Sequence, residues 1–232
     1  MIIGGLQKTS LIDYPGHISA VLFTVGCNMR CPFCHNTSLI QPEAGMLMMN
    51  PDKILEFLEK RKKYLDAVVI TGGEPTVHVD LPDLVAKIKK MGYKVKLDTN
   101  GTHPKMLQQL LDKELLDYVA IDLKAELEFE KYNKVSGAVL SNEMFDNIHE
   151  SISIILNSKV DHEFRTTAIK GIHGRKDFNS IIGKIEGAKR FIIQRFNPET
   201  THDPAWGSYK PFEDEELKEF LNIETPIDIL VR

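Results

Sequence analysis

The sequence predicts an α/β chain built on a parallel sheet. Short apolar runs rich in Val and Ile recur along it. Stretches with apolar residues at helical spacing separate those runs, the alternation expected of βαβ units. Polar residues of unusual chemistry then gather just after the apolar runs, where the carboxyl ends of the strands would lie.

The elements follow in order. ISAVLFTVG (18–26) is the first strand, and DYPG (13–16) before it reads as a turn. Pro51 opens a helix over 51–63, with Ile54, Leu55, Phe57, Leu58 and Tyr64 at apolar spacing. AVVITGG (67–73) is the second strand and ends in two glycines. Leu84, Val85 and Ile88 mark a helix over 82–91. YKVKLDTNG (93–101) is the third strand, 104–112 a helix, and LLDYVAIDLK (115–124) holds the fourth strand. One or two helices fill 125–157. The fifth strand lies within DHEFRTTAIKG (161–171), and a helix near 175–186 leads to the sixth, RFIIQRFNP (190–198). A helix over 213–221, headed by the acidic run EDEE, and an apolar run, PIDILVR (226–232), end the chain. With no linker, repeat or low-complexity stretch, residues 1–232 read as one domain. Periodicity leaves an open doubly wound sheet and a barrel-like sheet equally available.

Composition narrows the function. The chain has 232 residues, is 42% hydrophobic and 27% charged, and carries a net charge of −4. That balance argues against general binding to nucleic acid or to an anionic membrane. The N-terminus lacks the basic head and apolar run of a secretion signal, and no 18-residue apolar run is present. All three cysteines fall within GCNMRCPFCHN (26–36), which suits a reduced, cytoplasmic protein better than a disulfide framework.

Cys27, Cys31 and Cys34 can surround one inorganic centre from a single loop. Zinc would need a fourth ligand, and His35 is too close in sequence to Cys34 to close the shell well. A [4Fe–4S] cluster takes one Cys per iron, so three cysteines would leave one iron open to a small molecule. Ligand counting favours the cluster, and a zinc-stabilised binding module without catalysis stays as the alternative. The strand ends add Gly72, Gly73 and Glu74 after the second strand, and Asp98, Thr99 and Asn100 after the third. Asp122 with Lys124, Arg165 and Asn197 follow on the next three. One shared site at the carboxyl edge is expected. His17, His35, His78, His103 and His173 have no assigned partner and read as loop or solvent residues.

With these residues in view, the sequence resembles the radical S-adenosylmethionine (SAM) superfamily. Cys27-x-x-x-Cys31-x-x-Cys34, with Phe33 before the last cysteine, matches its signature, and Gly72-Gly73-Glu74-Pro75 matches its second motif. CPFCHN, LDTNG and AIDLK occur in the same order as in the activating enzymes of glycyl-radical enzymes. TSLIDYPG, FRTTAIKGIHG and IIQRFNP look most like the activating proteins of anaerobic ribonucleoside-triphosphate reductases. The resemblance covers nearly the whole chain. It implies a partial (β/α)6 TIM-like barrel with parallel strands. It implies a [4Fe–4S] cluster on the three cysteines and SAM on the fourth iron. It also implies SAM contacts from Phe33, Gly72, Gly73, Glu74, Asp122, Lys124, Arg165 and Asn197. A monovalent cation would be held by Asp98, Thr99 and Asp122, and Asp13 would touch the target peptide. The bland readings remain beside these: strand-ending turns for the glycines, helix caps for Asp98, Thr99 and Asp122, surface charge for Lys124 and Arg165. The implied activity is reductive cleavage of SAM and formation of a glycyl radical on an anaerobic partner, with flavodoxin or ferredoxin as electron donor. A different peptide or a small molecule as substrate is the alternative within the superfamily.

Overall fold

Eight strands form one sheet in sequential order, described for residues 1–41, 45 and 47–232 of the computed structural model. The strands are β1 (Ile3–Ser10), β2 (Ser19–Thr24), β3 (Ala67–Gly72), β4 (Lys94–Thr99), β5 (Tyr118–Asp122), β6 (Asp161–Ala168), β7 (Arg190–Arg195) and β8 (Asp228–Val231). The helices are α1 (Thr37–Ile40), α2 (Pro51–Arg61), α3 (Leu81–Lys90), α4 (Pro104–Asp112), α5 (Phe129–Val135), α6 (Asn142–Leu156), α7 (Arg175–Lys184) and α8 (Asp214–Leu221). From β2 to β8 every pairing is parallel, and helices link the strands. Among the described residues no pairing joins β8 to β1, so the curved sheet is a partial barrel.

The six predicted strands are β2 to β7, and PIDILVR supplies β8. β1 is an addition to the expected sheet. It pairs antiparallel with β2 and slips register on both sides of residues 5–7. Its sequence, IGGLQKTS, holds two glycines and no clean alternation, so it carries little strand signal. The long stretch after β5 resolves into α5 and α6. Ser141 caps α6 by accepting a hydrogen bond from the Met144 amide at 3.1 Å. Asn50 does the same for α2 through the Asp52 amide at 2.8 Å, with Pro51 in the first helical turn.

Alternation along the strands divides the sheet into two faces. Leu22, Ile70, Leu97, Ile121, Phe164 and Ile193 point outward and join the main core. Helical residues such as Leu58, Val85, Leu110, Ile152 and Phe178 cover them. The inner face is different. On the β2–β3 side it is apolar: Val21, Ala67 and Val69 pack with Tyr14, Tyr118 and Phe23. On the β4–β6 side it carries Lys96, Asp98, Asp122, Glu163 and Arg165. Register puts Lys96 beside Tyr118 and Asp122 beside Arg165.

The turn between β1 and β2 closes the amino-terminal end. Ser10 Oγ accepts from the amides of Ile12 (3.2 Å) and Asp13 (3.3 Å). Tyr14 enters the inner cluster, while Leu11 and Ile12 stay exposed. No helix among the described residues is long and apolar enough to cross a membrane.

Candidate active site

Cys27, Cys31 and Cys34 lie in the loop between β2 and α1 and line a cavity of about 290 Å³ at the carboxyl ends of the strands. Backbone contacts pin this loop. The Arg30 guanidinium donates to the carbonyls of Cys27 (2.6 Å) and Met29 (2.8 Å), and the Arg30 amide donates to Ser136 O at 3.0 Å. Gly137 allows that approach: with φ +97°, a Cβ there would fall 2.2 Å from Arg30 O. Asn28 ties the loop to the end of β4. It donates to Thr102 Oγ1 at 2.8 Å and accepts from Asn100 Nδ2 at 2.9 Å.

Burial pushes the Cys27 thiol up to about 11 and the Cys31 thiol up to about 12, and it raises Cys34 as well. The nearby Lys124 ammonium opposes burial at all three. Such thiols become ligands by giving up their proton to a metal. Among the described residues, no three His, Cys, Asp or Glu side chains converge where one metal ion could sit. A mononuclear zinc site needs that convergence. In an iron–sulfur cluster each cysteine takes a different iron, and three thiols spread around one cavity fit that demand.

The two glycines have a packing role. A Cβ on Gly72 (φ +119°) would fall 2.4 Å from Thr24 N, and one on Gly73 would fall 2.1 Å from Gly26 O. They let the end of β3 lie against the chain that enters the cysteine loop, and both line the cavity. Glu74 is 1% exposed. Its Oε1 accepts from Thr76 N (3.1 Å), Thr76 Oγ1 (2.5 Å) and Thr99 Oγ1 (2.6 Å). Its Oε2 accepts from the Asn100 amide at 2.6 Å. With four protein donors, Glu74 fastens β3 to β4 and shapes the cavity wall.

The facing wall is a chain of charges. Arg165 donates from Nε to Asp122 Oδ1 (2.6 Å) and from Nη1 to Asp98 Oδ2 (2.9 Å). Lys124 Nζ reaches Asp122 Oδ2 at 3.3 Å. Burial alone would raise the Asp122 carboxyl, but Arg165 and then Lys124 override it and hold it well below the usual carboxylate range. Burial would likewise lower Lys124, yet Asp122 holds its ammonium above the usual range. The trio expected to cage a monovalent cation is thus already engaged. Asp98 and Asp122 share Arg165, and Thr99 donates to Glu74.

Phe33 lines the cavity and leans on Trp206, with ring centres 6.2 Å apart. Trp206 belongs to a 3-10 turn (Pro204–Ser208), and Asp203 N donates to Pro32 O at 2.9 Å. The C-terminal segment therefore backs the cysteine loop. Asp13 also lines the cavity. Asn197 does not join the site. It lies exposed beyond β7, and its Oδ1 accepts from the Glu199 amide at 3.0 Å. β7 contributes Gln194 instead, beside Thr167 of β6. Alternation from Ile192 would have selected Gln194. His173 is also corrected: it is buried, accepts from the Ile169 amide (3.1 Å) and contacts Lys124 O at 3.0 Å. Asn100 is one of the polar residues expected at the end of the third strand, whereas Asn28 and Thr102 carry no sequence signal beyond their neighbourhood to the motifs.

The fold is an open, mostly parallel α/β barrel with three thiols and a charge chain at its carboxyl edge. Residues 21–175 match the radical SAM superfamily, and the chain belongs to it. It is homologous to glycyl-radical-enzyme activating enzymes. A candidate enzyme of that kind from Methanocaldococcus jannaschii is 34% identical over 221 residues, covering 94% of this chain and 89% of that one. A candidate GTP 3′,8-cyclase of Saccharolobus solfataricus is 31% identical over 160 residues, covering 66% of this chain and 50% of that one. Streptococcus suis SuiB bound to S-adenosylmethionine superposes with a TM-score of 0.68 at 14% identity, a likeness of fold. The match covers 91% of this chain and 49% of SuiB, so this chain spans about half of SuiB's length.

Proposed function

We infer that this chain is a one-domain radical SAM activase that installs a glycyl radical on a partner enzyme. The observation that carries the reading is the pairing of three cavity-lining thiols with the Asp98–Arg165–Asp122–Lys124 wall across one cavity. Cys27, Cys31 and Cys34 would hold a [4Fe–4S] cluster, with one iron left for SAM. When bound, the cluster and SAM would supply one-electron radical chemistry able to remove a hydrogen atom from a glycine Cα of the partner. The protein's part is to bind and orient. The backbone at Gly72 and Gly73 borders the site, and Phe33 offers an aromatic face to a base. Arg165 and Lys124 bring positive charge for a carboxylate and donors for ribose hydroxyls. Glu74 keeps the β3 and β4 ends in register.

The target we infer is an anaerobic ribonucleoside-triphosphate reductase. TSLIDYPG, FRTTAIKGIHG and IIQRFNP support it, and the M. jannaschii relative supports a glycyl-radical enzyme as the target class. A flavodoxin or ferredoxin would deliver the electron, in an anaerobic cytoplasm. A second reading, a small-molecule substrate, is favoured by the S. solfataricus relative.

The test is anaerobic reconstitution followed by mixing with reductant, SAM and the candidate reductase. A glycyl signal in electron paramagnetic resonance supports the activase. SAM cleavage without that signal rejects it in favour of another substrate. About four irons per chain are expected; one zinc and no SAM cleavage would overturn the radical chemistry altogether.

A further inference from the structure

Lys96 has no part in the chemistry above, yet it is the only buried Lys or Arg among the described residues, at 1% exposure. Strand alternation turns it inward with Asp98. Its Nζ lies 2.9 Å from Asp98 Oδ1, at an angle that forms no hydrogen bond, and 3.6 Å from Glu163 Oε1. It stands 5.6 Å from the centre of the Tyr118 ring. Two carboxylates and an aromatic face answer its charge, as a buried ammonium requires. Its aligned hydrogen bond goes elsewhere: Nζ donates to the backbone carbonyl of Asp13 at 2.8 Å.

That carbonyl belongs to the turn between β1 and β2. The turn holds itself locally through Ser10 Oγ and through His17 N donating to Tyr14 O at 3.2 Å. Tyr14 leans on Tyr118, with ring centres 5.6 Å apart. Asp13 borders the active-site cavity. Lys96 thus touches the turn with one hydrogen bond and the Asp98–Arg165 wall with its charge.

We propose that Lys96 is a positioning residue that fastens Asp13, and with it the turn of residues 11–17, as part of the floor of the active-site cavity, in fixed relation to the Asp98–Arg165 wall. The floor sets how deep a target group can enter, and hence how near it comes to the reacting centre. A charge pair alone would not need the Asp13 carbonyl, and an apolar side chain of similar volume could fill the same space. The functional half of the proposal rests on the cavity being the reaction site. The structural half does not.

Amide hydrogen exchange on the metal-free chain tests the structural half. In Lys96→Met, peptides covering residues 11–17 should exchange about tenfold faster or more, while α2, α3 and β3 keep wild-type protection. Glu163 keeps Arg232 and the Tyr118 hydroxyl when Lys96 is lost; should Lys96→Met still fail to fold, the double variant Lys96→Met/Glu163→Gln removes the buried carboxylate charge. Unchanged exchange at 11–17, loosening shared by the whole sheet, or failure of both variants to fold would each overturn the proposal. The second readout is the number of glycyl radicals formed on the candidate reductase per SAM cleaved. Poor placement of the target should lower that ratio about fivefold or more. A merely structural defect lowers both quantities together and leaves the ratio at its wild-type value. Failure of wild-type protein to make any glycyl radical would reject the proposed target but leave the exchange result standing.

Discussion

On the helix side of β3 to β6 stand Val68, Ile70, Val95, Leu97, Ile121 and Phe164; on the lumen side of β4 to β6 stand Lys96, Asp98, Asp122, Glu163 and Arg165. The first set is interchangeable in kind. Each residue contributes by the apolar area it removes from water, about 1.5–3 kcal/mol for a full side chain. The second set is held by mutual obligation. Arg165 answers Asp98 and Asp122, and Lys96 lies between Asp98 and Glu163. A defect on the outer face leaves a gap, whereas a defect on the inner face leaves an unanswered charge.

The largest effect should come from the thiols above the lumen. Cys31→Ala should reduce reconstituted iron from about four per chain to a small remainder, with the far-ultraviolet dichroism of the metal-free chain unchanged. A chain that unfolds instead would make the metal structural. Next is Arg165→Met, which removes the guanidinium that Asp98 and Asp122 share and leaves each with a single lysine. Breaking such a buried pair costs about 3–5 kcal/mol, measurable by urea unfolding, and SAM affinity should fall in calorimetry. A loss below 1 kcal/mol would erase the contrast between the faces. On the outer face, Ile70→Val should cost only about 0.5–1.5 kcal/mol and leave SAM affinity at the wild-type value.

The smallest effect is a pH dependence. Burial holds the His173 imidazole below its ordinary range. Its Nδ1 accepts from the Ile169 amide, which leaves Nε2 to donate to Lys124 O. Because the unfolded chain binds the proton more readily, the contribution is present above about pH 6.5 and declines as pH falls below it. The urea midpoint should therefore drop on going from pH 7 to 5.5, and His173→Gln should flatten that part of the slope.

The outer face was legible from sequence because Val and Ile runs and helical spacing report burial directly. Six parallel strands were located within about three residues on that basis. The cysteine loop was legible because its spacing is itself the chemistry. β1 was not, since its two glycines and polar centre carry no period. Asn197 was selected for lying near a strand end, but only inward alternation brings a side chain into the lumen, and that chose Gln194. Lys96 was the least legible residue. In YKVKLDTNG, Lys94 is exposed and Lys96 buried, and of the neighbouring residues only Asp98, two positions beyond Lys96, distinguishes them. The difference is made by Glu163 and Asp13, both far away in sequence.

The gap between β1 and β8 has a cost of its own. An unclosed sheet keeps two margins whose peptide groups have no neighbouring strand, and such margins can zip onto another molecule and seed insoluble polymer. β1 meets that hazard with register slips and the exposed Gln7, Lys8 and Thr9. Replacing Lys8 with a β-branched apolar residue would remove a gatekeeper, so the yield of soluble protein would become the property most sensitive to that position.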